Sequence, residues 1–320
     1  MKKIYLLMLT CASYLAVAQQ DLQFTQYMFN RIYYNPGVAG SGDAICINAL
    51  HRSQWVGFDG APTSQNLNAN IPISLLRGGL SLKVANDQIG FFQNLNAALG
   101  YAYQHQLGNG TLGAGVSFEL FTKSVDNADW RPPDGLGTLT PGPGGDGAIP
   151  QPNSNGTAFD MNFGIYYQSE RIWGGISANR LLGSGTDLDA YDNGITQFYN
   201  NRHFYVMGGY NWPIPGSNFE LRPSFLAKTD LGASPQLDVN VMGVYNNKFW
   251  GGVTYRLQEA IGVNVGYQFT ESLMAGYSYD IATAEVSRAG GGSHEIFVRY
   301  CFRVEIPPRE RGSNKNPRFL

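Results

Sequence analysis

Apolar and polar residues alternate along the second half of the chain, residues 155–303, in segments of about ten residues. In the last segment, Ile296 and Val298 take one parity, whereas Glu295 and Arg299 take the other. Successive side chains of a β-strand point to opposite faces, so each such strand has one apolar and one polar face. No segment after residue 18 reaches the unbroken apolar length of a membrane helix. The pattern therefore predicts strands of a transmembrane β-barrel, with lipid on one face and water on the other.

The connections between the alternating segments add an orientation. Fourteen segments can be counted, the first at 43–51 and the last at 293–305. Short turns follow even-numbered strands, and the longer connections follow odd-numbered strands; the longest is 124–155. Bacterial barrels have an even number of strands, short periplasmic turns and longer extracellular loops. We therefore expect an all-β fold, a transmembrane antiparallel β-barrel of about 14 strands, with both termini in the periplasm.

The N-terminus has the three parts of a secretory signal peptide. Two lysines follow Met1, an apolar run follows them, and Ala16-Val17-Ala18 forms the exit site. The alternative, a membrane anchor, needs about twenty apolar residues. The predicted organisation is a signal peptide (1–18), an N-terminal periplasmic or plug segment (19–42), an outer-membrane β-barrel with a long extracellular loop at 124–155 (43–305) and a periplasmic tail (306–320).

The segment before the first strand is too aromatic for a solvated linker. We expect it to be packed, at the periplasmic mouth of the barrel. Tyr27, Phe29 and Tyr34 are its candidate partner-binding residues.

The composition agrees with a barrel wall. Charged residues make up 14 % of the chain, against about a quarter in typical soluble domains. The 40 Gly, 19 Tyr and 18 Phe suit strands that bend around a closed sheet and carry aromatic girdles. A net charge of −2 shows no excess of basic residues of the kind that indicates nucleic-acid binding. Apolar and polar residues also alternate along the strands of a soluble sandwich or propeller, but neither fold places polar residues so regularly on the face opposite the aromatic ones.

Charged residues of the later strands share the parity expected to face the lumen. They are Glu220, Arg222, Lys228, Asp238, Arg256, Asp280, Glu295, Arg299 and Arg303. Two interpretations stay open: a polar pore or docking surface, or ion pairs that satisfy one another inside a filled barrel. Under the first, the candidate partner-binding residues are Arg222, Asp238, Arg256, Asp280, Glu295 and Arg299.

Cys46 lies on the first predicted strand and Cys301 on the last. Both share parity with polar residues, and closure of a barrel brings these two strands together. Our hypothesis is that both thiols point inward at this seam, close enough for the oxidising envelope to join them, although the register decides.

No catalytic set is evident. His294-Glu295 lacks the second histidine of a zinc protease motif. The loop with Asp187, Asp189 and Asp192 has oxygen ligands that could hold calcium, but its spacing departs from that of an EF-hand, which favours a solvated acidic loop. We predict no enzymatic activity, no cofactor and no metal site.

Several short motifs occur along the chain: Gln26–Asn30, Tyr34–Ser41, Arg52–Gly57, Gly60–Thr63, Asp87–Gly90, Leu221–Ser224, Tyr277–Asp280 and Gly292–Ile296. Together they resemble those of one family, the PorP/SprF outer-membrane proteins of the Bacteroidota type IX secretion and gliding system. The resemblance covers essentially the whole mature chain. The chain departs from the family pattern in its Pro/Gly-rich insertion at 129–155.

The resemblance implies a non-catalytic barrel in the cell outer membrane that anchors a large secreted adhesin or assists its export. It implies as partners the C-terminal domain of an adhesin, the type IX secretion machinery, or both. The alternative is a general diffusion porin or small-solute transporter. The sequence does not choose between the PorP-like branch and the SprF-like branch.

Overall fold

A computed structural model describes residues 21–126, 150–190, 194–232, 234–283 and 291–303. The predicted signal peptide, most of the loop at 124–155 and the C-terminal tail lie outside the described residues.

Seventeen strands occur in the described residues. They are β1 (Ile45–Ser53), β2 (Thr63–Ile73), β3 (Gly78–Ile89), β4 (Phe92–Leu107), β5 (Gly110–Val125), β6 (Asn155–Ser169), β7 (Ile172–Asn179), β8 (Gly185–Asp189), β9 (Ile195–Tyr199), β10 (His203–Tyr210), β11 (Trp212–Pro213), β12 (Phe219–Thr229), β13 (Gln236–Tyr245), β14 (Phe249–Arg256), β15 (Ala260–Gln268), β16 (Leu273–Ala282) and β17 (Ser293–Phe302).

Fourteen of these strands form one closed antiparallel barrel. Each barrel strand pairs with the barrel strand that follows it along the chain, which includes the pairs β7–β10 and β10–β12, and β1 pairs with β17 to close the circle. The two-residue β11 pairs with β12 at one rim, and β8 and β9 form a separate hairpin. This confirms the prediction of a fourteen-stranded barrel. A sheet that spans a membrane must pair its edge strands, and closure of the barrel does so here.

The two faces of the wall follow the alternation in the sequence. On β15, Val263 and Val265 are about half exposed on the outer face, at 48 % and 50 %, whereas Asn264 between them is fully buried inside. On β17, Ile296 faces outward and Glu295 is completely buried. Apolar side chains thus face the lipid and polar side chains face the interior of the barrel at neighbouring positions.

The barrel has an end with short turns, here called the inner end, and an end with longer connections, the outer end. Asn246 and Asn247 form one inner turn with positive φ angles of 52° and 54°, a conformation that asparagine tolerates. Two outer connections, 90–91 and 257–259, are also short, so the asymmetry depends on the remaining loops. By the usual rule for bacterial barrels, the outer end faces the cell exterior.

The connection between β7 and β10 includes the acidic residues that the sequence favoured as a solvated loop. It contains the β8–β9 hairpin, which packs against the inner surface of the wall at the outer end. A Cβ atom on Gly156 of β6 would lie 2.1 Å from the carbonyl oxygen of Asp187, so a glycine is needed there for the hairpin to approach. Leu188 of the hairpin is fully buried against Val125.

Residues 21–40, here called the lumen segment, fill the barrel. The segment folds into two short 3-10 turns, Tyr27–Phe29 and Pro36–Val38, around the one-turn helix α1 (Arg31–Tyr34). Most of its side chains are buried, and they form one core cluster with inward-facing aromatic residues such as Trp173 and Trp250.

The lumen segment descends from the outer end to the inner end. Asp21 contacts Arg180, just beyond the outer end of β7. Gly40 lies against Gly79 near the start of β3, at the inner end, so closely that a Cβ on Gly40 would lie 2.5 Å from the Gly79 nitrogen. The sequence predicted a packed segment at the periplasmic mouth. The structure extends this placement, because only the last part of the segment lies there.

Candidate functional site

Four of the predicted lumen residues come together on the inner wall of β13–β17. Arg256 places Nη2 3.1 Å from Asp238 Oδ2 and Nη1 3.7 Å from Asp280 Oδ2. Glu295 belongs to the same group through Arg52 of β1, which contacts Asp280 at 2.7 Å and Glu295 at 3.1 Å. All five side chains are nearly fully buried. The arrangement matches the second interpretation given above, in which ion pairs satisfy one another inside a filled barrel.

This charged cluster also holds the lumen segment. Glu295 accepts hydrogen bonds from the backbone amides of Thr25 and Gln26 at 2.8 and 2.9 Å. The hydroxyl of Thr25 donates to Asp280 Oδ2 at 2.5 Å. Charge-assisted hydrogen bonds of this kind are stronger than neutral ones. The carboxylates therefore serve two purposes, pairing with arginines and fixing the segment.

Arg52 was not among the predicted lumen residues. It is opposite Glu295 in the β1–β17 register and only 2 % exposed. Its parity with Asn48 and Cys46 was the signal that could have placed it inside the barrel.

The two remaining predicted arginines lie toward the inner end. Arg222 pairs with Glu220 on its own strand at 2.8 Å and keeps a third of its side chain exposed. Arg299 donates Nε to Asn48 Oδ1 at 2.6 Å and Nη2 to the carbonyl oxygen of Phe29. Arg299 thus contacts the lumen segment, whereas Arg222 is accessible from the inner end. Of the other lumen-parity charges, Lys228 is half-buried and donates Nζ to the Asp21 carbonyl oxygen at 3.3 Å, and Arg303 is exposed beyond β17.

The three aromatic candidates of the N-terminal segment contact the barrel's own residues. The Tyr27 hydroxyl is 3.0 Å from Ser224 Oγ. Phe29 stacks on Phe297 with ring centroids 4.8 Å apart. Tyr34 makes an edge contact with Tyr205 at 5.3 Å.

Cys46 and Cys301 are joined by a disulfide in the structure, with Cα atoms 4.1 Å apart. Of the hypothetical calcium loop, Asp187 accepts a hydrogen bond from Gln197 Nε2 at 2.8 Å, and Asp192 lies outside the described residues. Within the described ranges, no group of three or more His, Cys, Asp or Glu side chains is arranged to hold a metal.

A second polar cluster, which the sequence did not predict, anchors the outer end of the lumen segment. Asp21 accepts hydrogen bonds from Arg180 at 3.1 Å, from Tyr33 at 3.2 Å and from Tyr205. Burial by itself would raise the pKa of the Asp21 carboxyl, but Arg180, with smaller contributions from His203 and the Tyr205 hydrogen bond, holds it well below its usual range.

Two larger cavities lie among the described residues at the outer end, on either side of the start of the lumen segment. One, of about 340 Å³, is bounded by Arg52, Arg256 and Asp280 together with Trp55 of the first outer loop. The other, of about 360 Å³, is here called the outer vestibule. Its floor is Asp21 and Leu22, and its walls come from β3, β4 and β5 and from five residues that follow β7: Arg180, Phe198, Asn200, Asn201 and His203.

Lysine and aromatic rings dominate one wall of the outer vestibule. Lys123 Nζ lies 4.9 Å from the ring centre of Phe198 and 5.3 Å from that of Phe92. The two rings meet edge to face at 5.7 Å. The hairpin therefore completes the vestibule by bringing Phe198 over a lysine of the barrel wall.

Among the described residues, no helix is long and apolar enough to cross a membrane.

A family model described as "Type IX secretion system membrane protein PorP/SprF" matches residues 16–300. No functionally curated protein matches the sequence.

Solved outer-membrane barrels resemble the chain at low identity. The Omp33 outer membrane protein of Acinetobacter baumannii is 9% identical, with a TM-score of 0.45, covering 82% of this chain and 100% of its own. The CymD monoaromatic hydrocarbon channel is 11% identical, with a TM-score of 0.46 and coverages of 88% and 93%. The translocator domain of the autotransporter NalP from Neisseria meningitidis is 11% identical, with a TM-score of 0.42 and coverages of 87% and 95%. Because these TM-scores are below 0.5, we base no conclusion on them.

Proposed function

Because the chain belongs to the PorP/SprF family of type IX secretion membrane proteins, we propose that it retains a large secreted adhesin at the cell surface as a non-catalytic outer-membrane anchor. The observation that carries the proposal is the filled lumen. Residues 21–40 cross the barrel from end to end. The buried Asp21–Arg180 ion pair holds the outer end, and hydrogen bonds hold the segment along its length, including the one from the Gly40 amide to Asn70 at the inner end.

A filled lumen weighs against the alternative of a diffusion porin. A porin needs a continuous water-filled channel, whereas here Tyr27, Tyr34 and Trp173 pack into one core inside the barrel. The charged side chains of the buried cluster form ion pairs with one another and hydrogen bonds to the lumen segment. Retention of a protein needs only a rigid scaffold and an accessible surface, and the outer vestibule and the outer loops supply such a surface.

Removal of the chain from its own bacterium tests the proposal. In a strain that lacks it, protease-accessible surface proteins are quantified by mass spectrometry and compared with those released into the medium. We expect one large type IX cargo to leave the surface and to return when the chain is restored. An unchanged surface proteome would contradict the anchoring role.

Conductance separates the anchor from the porin. In planar bilayers, the purified protein should give no steady single-channel conductance. A variant that lacks residues 21–40 should open a channel, which shows that the assay detects this barrel. Stable open channels in the unmodified protein would support the porin instead.

A further inference from the structure

We propose that the outer vestibule is a binding site for a carboxylate-bearing, extended peptide of the retained protein, with Lys123 as the group that receives the carboxylate. This inference rests on the proposed function and names the site through which it would act.

Lys123 is a buried cation whose contacts are aromatic. The residue is 9 % exposed, and it has no ion-pair partner in the parts of the chain that the structure describes. Asp87, two strands away in the same row of the sheet, accepts a hydrogen bond from the Ser64 hydroxyl at 2.7 Å instead. Ring faces offset only part of the cost of burying an ammonium group. Asp87 also lines the vestibule but is not in ion-pair contact with Lys123. Among the described residues the ammonium group therefore has no direct anionic partner, and a carboxylate ligand would supply one.

Amide groups beside Lys123 also lack partners. The side-chain oxygens of Asn94 and Asn96 and the side-chain nitrogen of Asn200 are buried and have no hydrogen-bond partner in the described structure. A buried polar atom without a partner is costly, so such atoms commonly mark a missing ligand or water. Two acceptors and one donor complement the N–H and C=O groups of a peptide backbone. An inorganic anion without a proton would leave both asparagine oxygens unpaired.

The size and position of the vestibule limit the occupant. A cavity of about 360 Å³ is at the lower end of the range for small-ligand pockets. It admits a few residues of extended chain and excludes a folded domain. Because the vestibule is at the outer end, an occupant from a secreted protein reaches it from the cell exterior.

Protection of Lys123 from acetylation tests the site on the intact, purified protein. N-hydroxysuccinimidyl acetate modifies accessible lysines, and mass spectrometry follows the rate at each one. Four probes are compared at equal concentration: acetyl-tetra-alanine with a free C-terminal carboxylate, its C-terminal amide, an amidated acetyl-Ala-Asp-Ala-Ala peptide, and inorganic phosphate. Lys248, in an exposed inner turn, is the internal control.

We expect a carboxylate peptide to slow the modification of Lys123 about tenfold more than the neutral amide, since hydrogen bonds to charged groups are the stronger ones. Protection by the free C-terminus alone would identify a chain end as the ligand, and protection by the aspartate peptide an acidic side chain. Equal protection by the neutral amide, protection by phosphate as strong as by the peptides, or no protection at all would overturn the proposal.

A cellular comparison links the site to retention and separates the two proposals. Lys123→Met keeps the length of the side chain and removes its charge, and Lys248→Met is the matched control. We expect Lys123→Met alone to release cargo from the surface, with unchanged amounts of folded barrel on heat-modifiability gels. If Lys123→Met retains the cargo while deletion of the chain releases it, the vestibule assignment fails and the anchoring function stands. If deletion itself has no effect, the anchoring function fails.

Discussion

Cys46 and Cys301 lie directly opposite each other in the register of β1 and β17, and a disulfide joins them across the seam between the first and the last strand. The bond links residues 255 positions apart in the sequence. It therefore encloses nearly the whole barrel in one covalent loop. Hydrogen bonds between β1 and β17 close the same seam, so the disulfide reinforces a contact that already exists.

Loss of the disulfide should weaken the barrel without changing its fold. A cross-link over a long loop restricts the unfolded chain, and its removal typically costs about 2–4 kcal/mol. We expect Cys46→Ser to lower the urea midpoint in detergent by a corresponding amount. Cys301→Ser and the double variant should show the same loss, because all three remove one bond. An unchanged midpoint of the native protein after treatment with dithiothreitol would contradict this.

Arg52 should be the most sensitive charged residue of the lumen. It contacts Asp280, Glu295 and the Thr25 hydroxyl, at 2.7, 3.1 and 3.1 Å. Arg52→Met leaves Glu295 without an arginine and leaves Asp280 with only the more distant Arg256, at 3.7 Å. Breaking a buried ion pair costs about 3–5 kcal/mol. We expect a lower urea midpoint and faster trypsin cleavage after Arg31 of the lumen segment.

A matched control for Arg52 is Arg77→Met in the exposed turn before β3. It should leave both measurements unchanged. Equal effects of the two substitutions would show that the buried cluster does not hold the lumen segment.

The wall of this barrel could be predicted from sequence because lipid and water act on every strand separately. Ile296 faces outward and Glu295 faces the lumen, so the difference in polarity between two adjacent positions is enough to place both side chains. The same local rule gave all fourteen barrel strands, including the short β7 and β10. It could have placed Arg52 inside as well, since Arg52 shares the parity of Asn48 on β1.

The contents of the lumen could not be predicted in the same way, because they depend on contacts between residues far apart in sequence. The pairing of Asp21 with Arg180, for example, joins a residue outside any strand to one just beyond β7. The β8–β9 hairpin was missed because Gly185–Asp189 resembles an acidic loop. It is a strand because it pairs with β9, and this pairing brings Phe198 of β9 into the vestibule.

Glycines on the inner wall should determine whether the lumen segment fits. A Cβ on Gly164 would lie 2.1 Å from Asn35 Oδ1. The side-chain nitrogen of Asn35 donates to the carbonyl oxygens of Ile165 and Ile176. Gly164→Ala must displace Asn35, and overpacking of this kind costs about 1–3 kcal/mol. We expect a lower urea midpoint and faster trypsin cleavage after Arg31.

Gly251→Ala is the matched control for Gly164, because the atom nearest to its added Cβ would be 3.8 Å away. In a strand, alanine in place of glycine should be neutral or stabilise by up to about 1 kcal/mol. If Gly164→Ala were as stable as Gly251→Ala, Asn35 would not be lodged against this wall.

The outer anchor of the lumen segment should give a characteristic pH dependence. The pKa of Asp21 is held well below its usual range by Arg180 and its other partners against the opposing effect of burial. A carboxyl with a lowered pKa in the folded state stabilises the protein fully above its unfolded pKa, about 3.9 for aspartate. This stabilisation is lost as the pH falls from there through the folded pKa. Asp21→Asn should therefore lower the urea midpoint equally at about pH 7 and pH 5, and the difference from the native protein should shrink below about pH 4.

Asp43→Asn, in the exposed chain before β1, is the control and should show no difference at any pH. A difference for Asp21→Asn that vanished between pH 7 and pH 5, or that grew in acid, would show that Asp21 is not the ionised anchor of the segment.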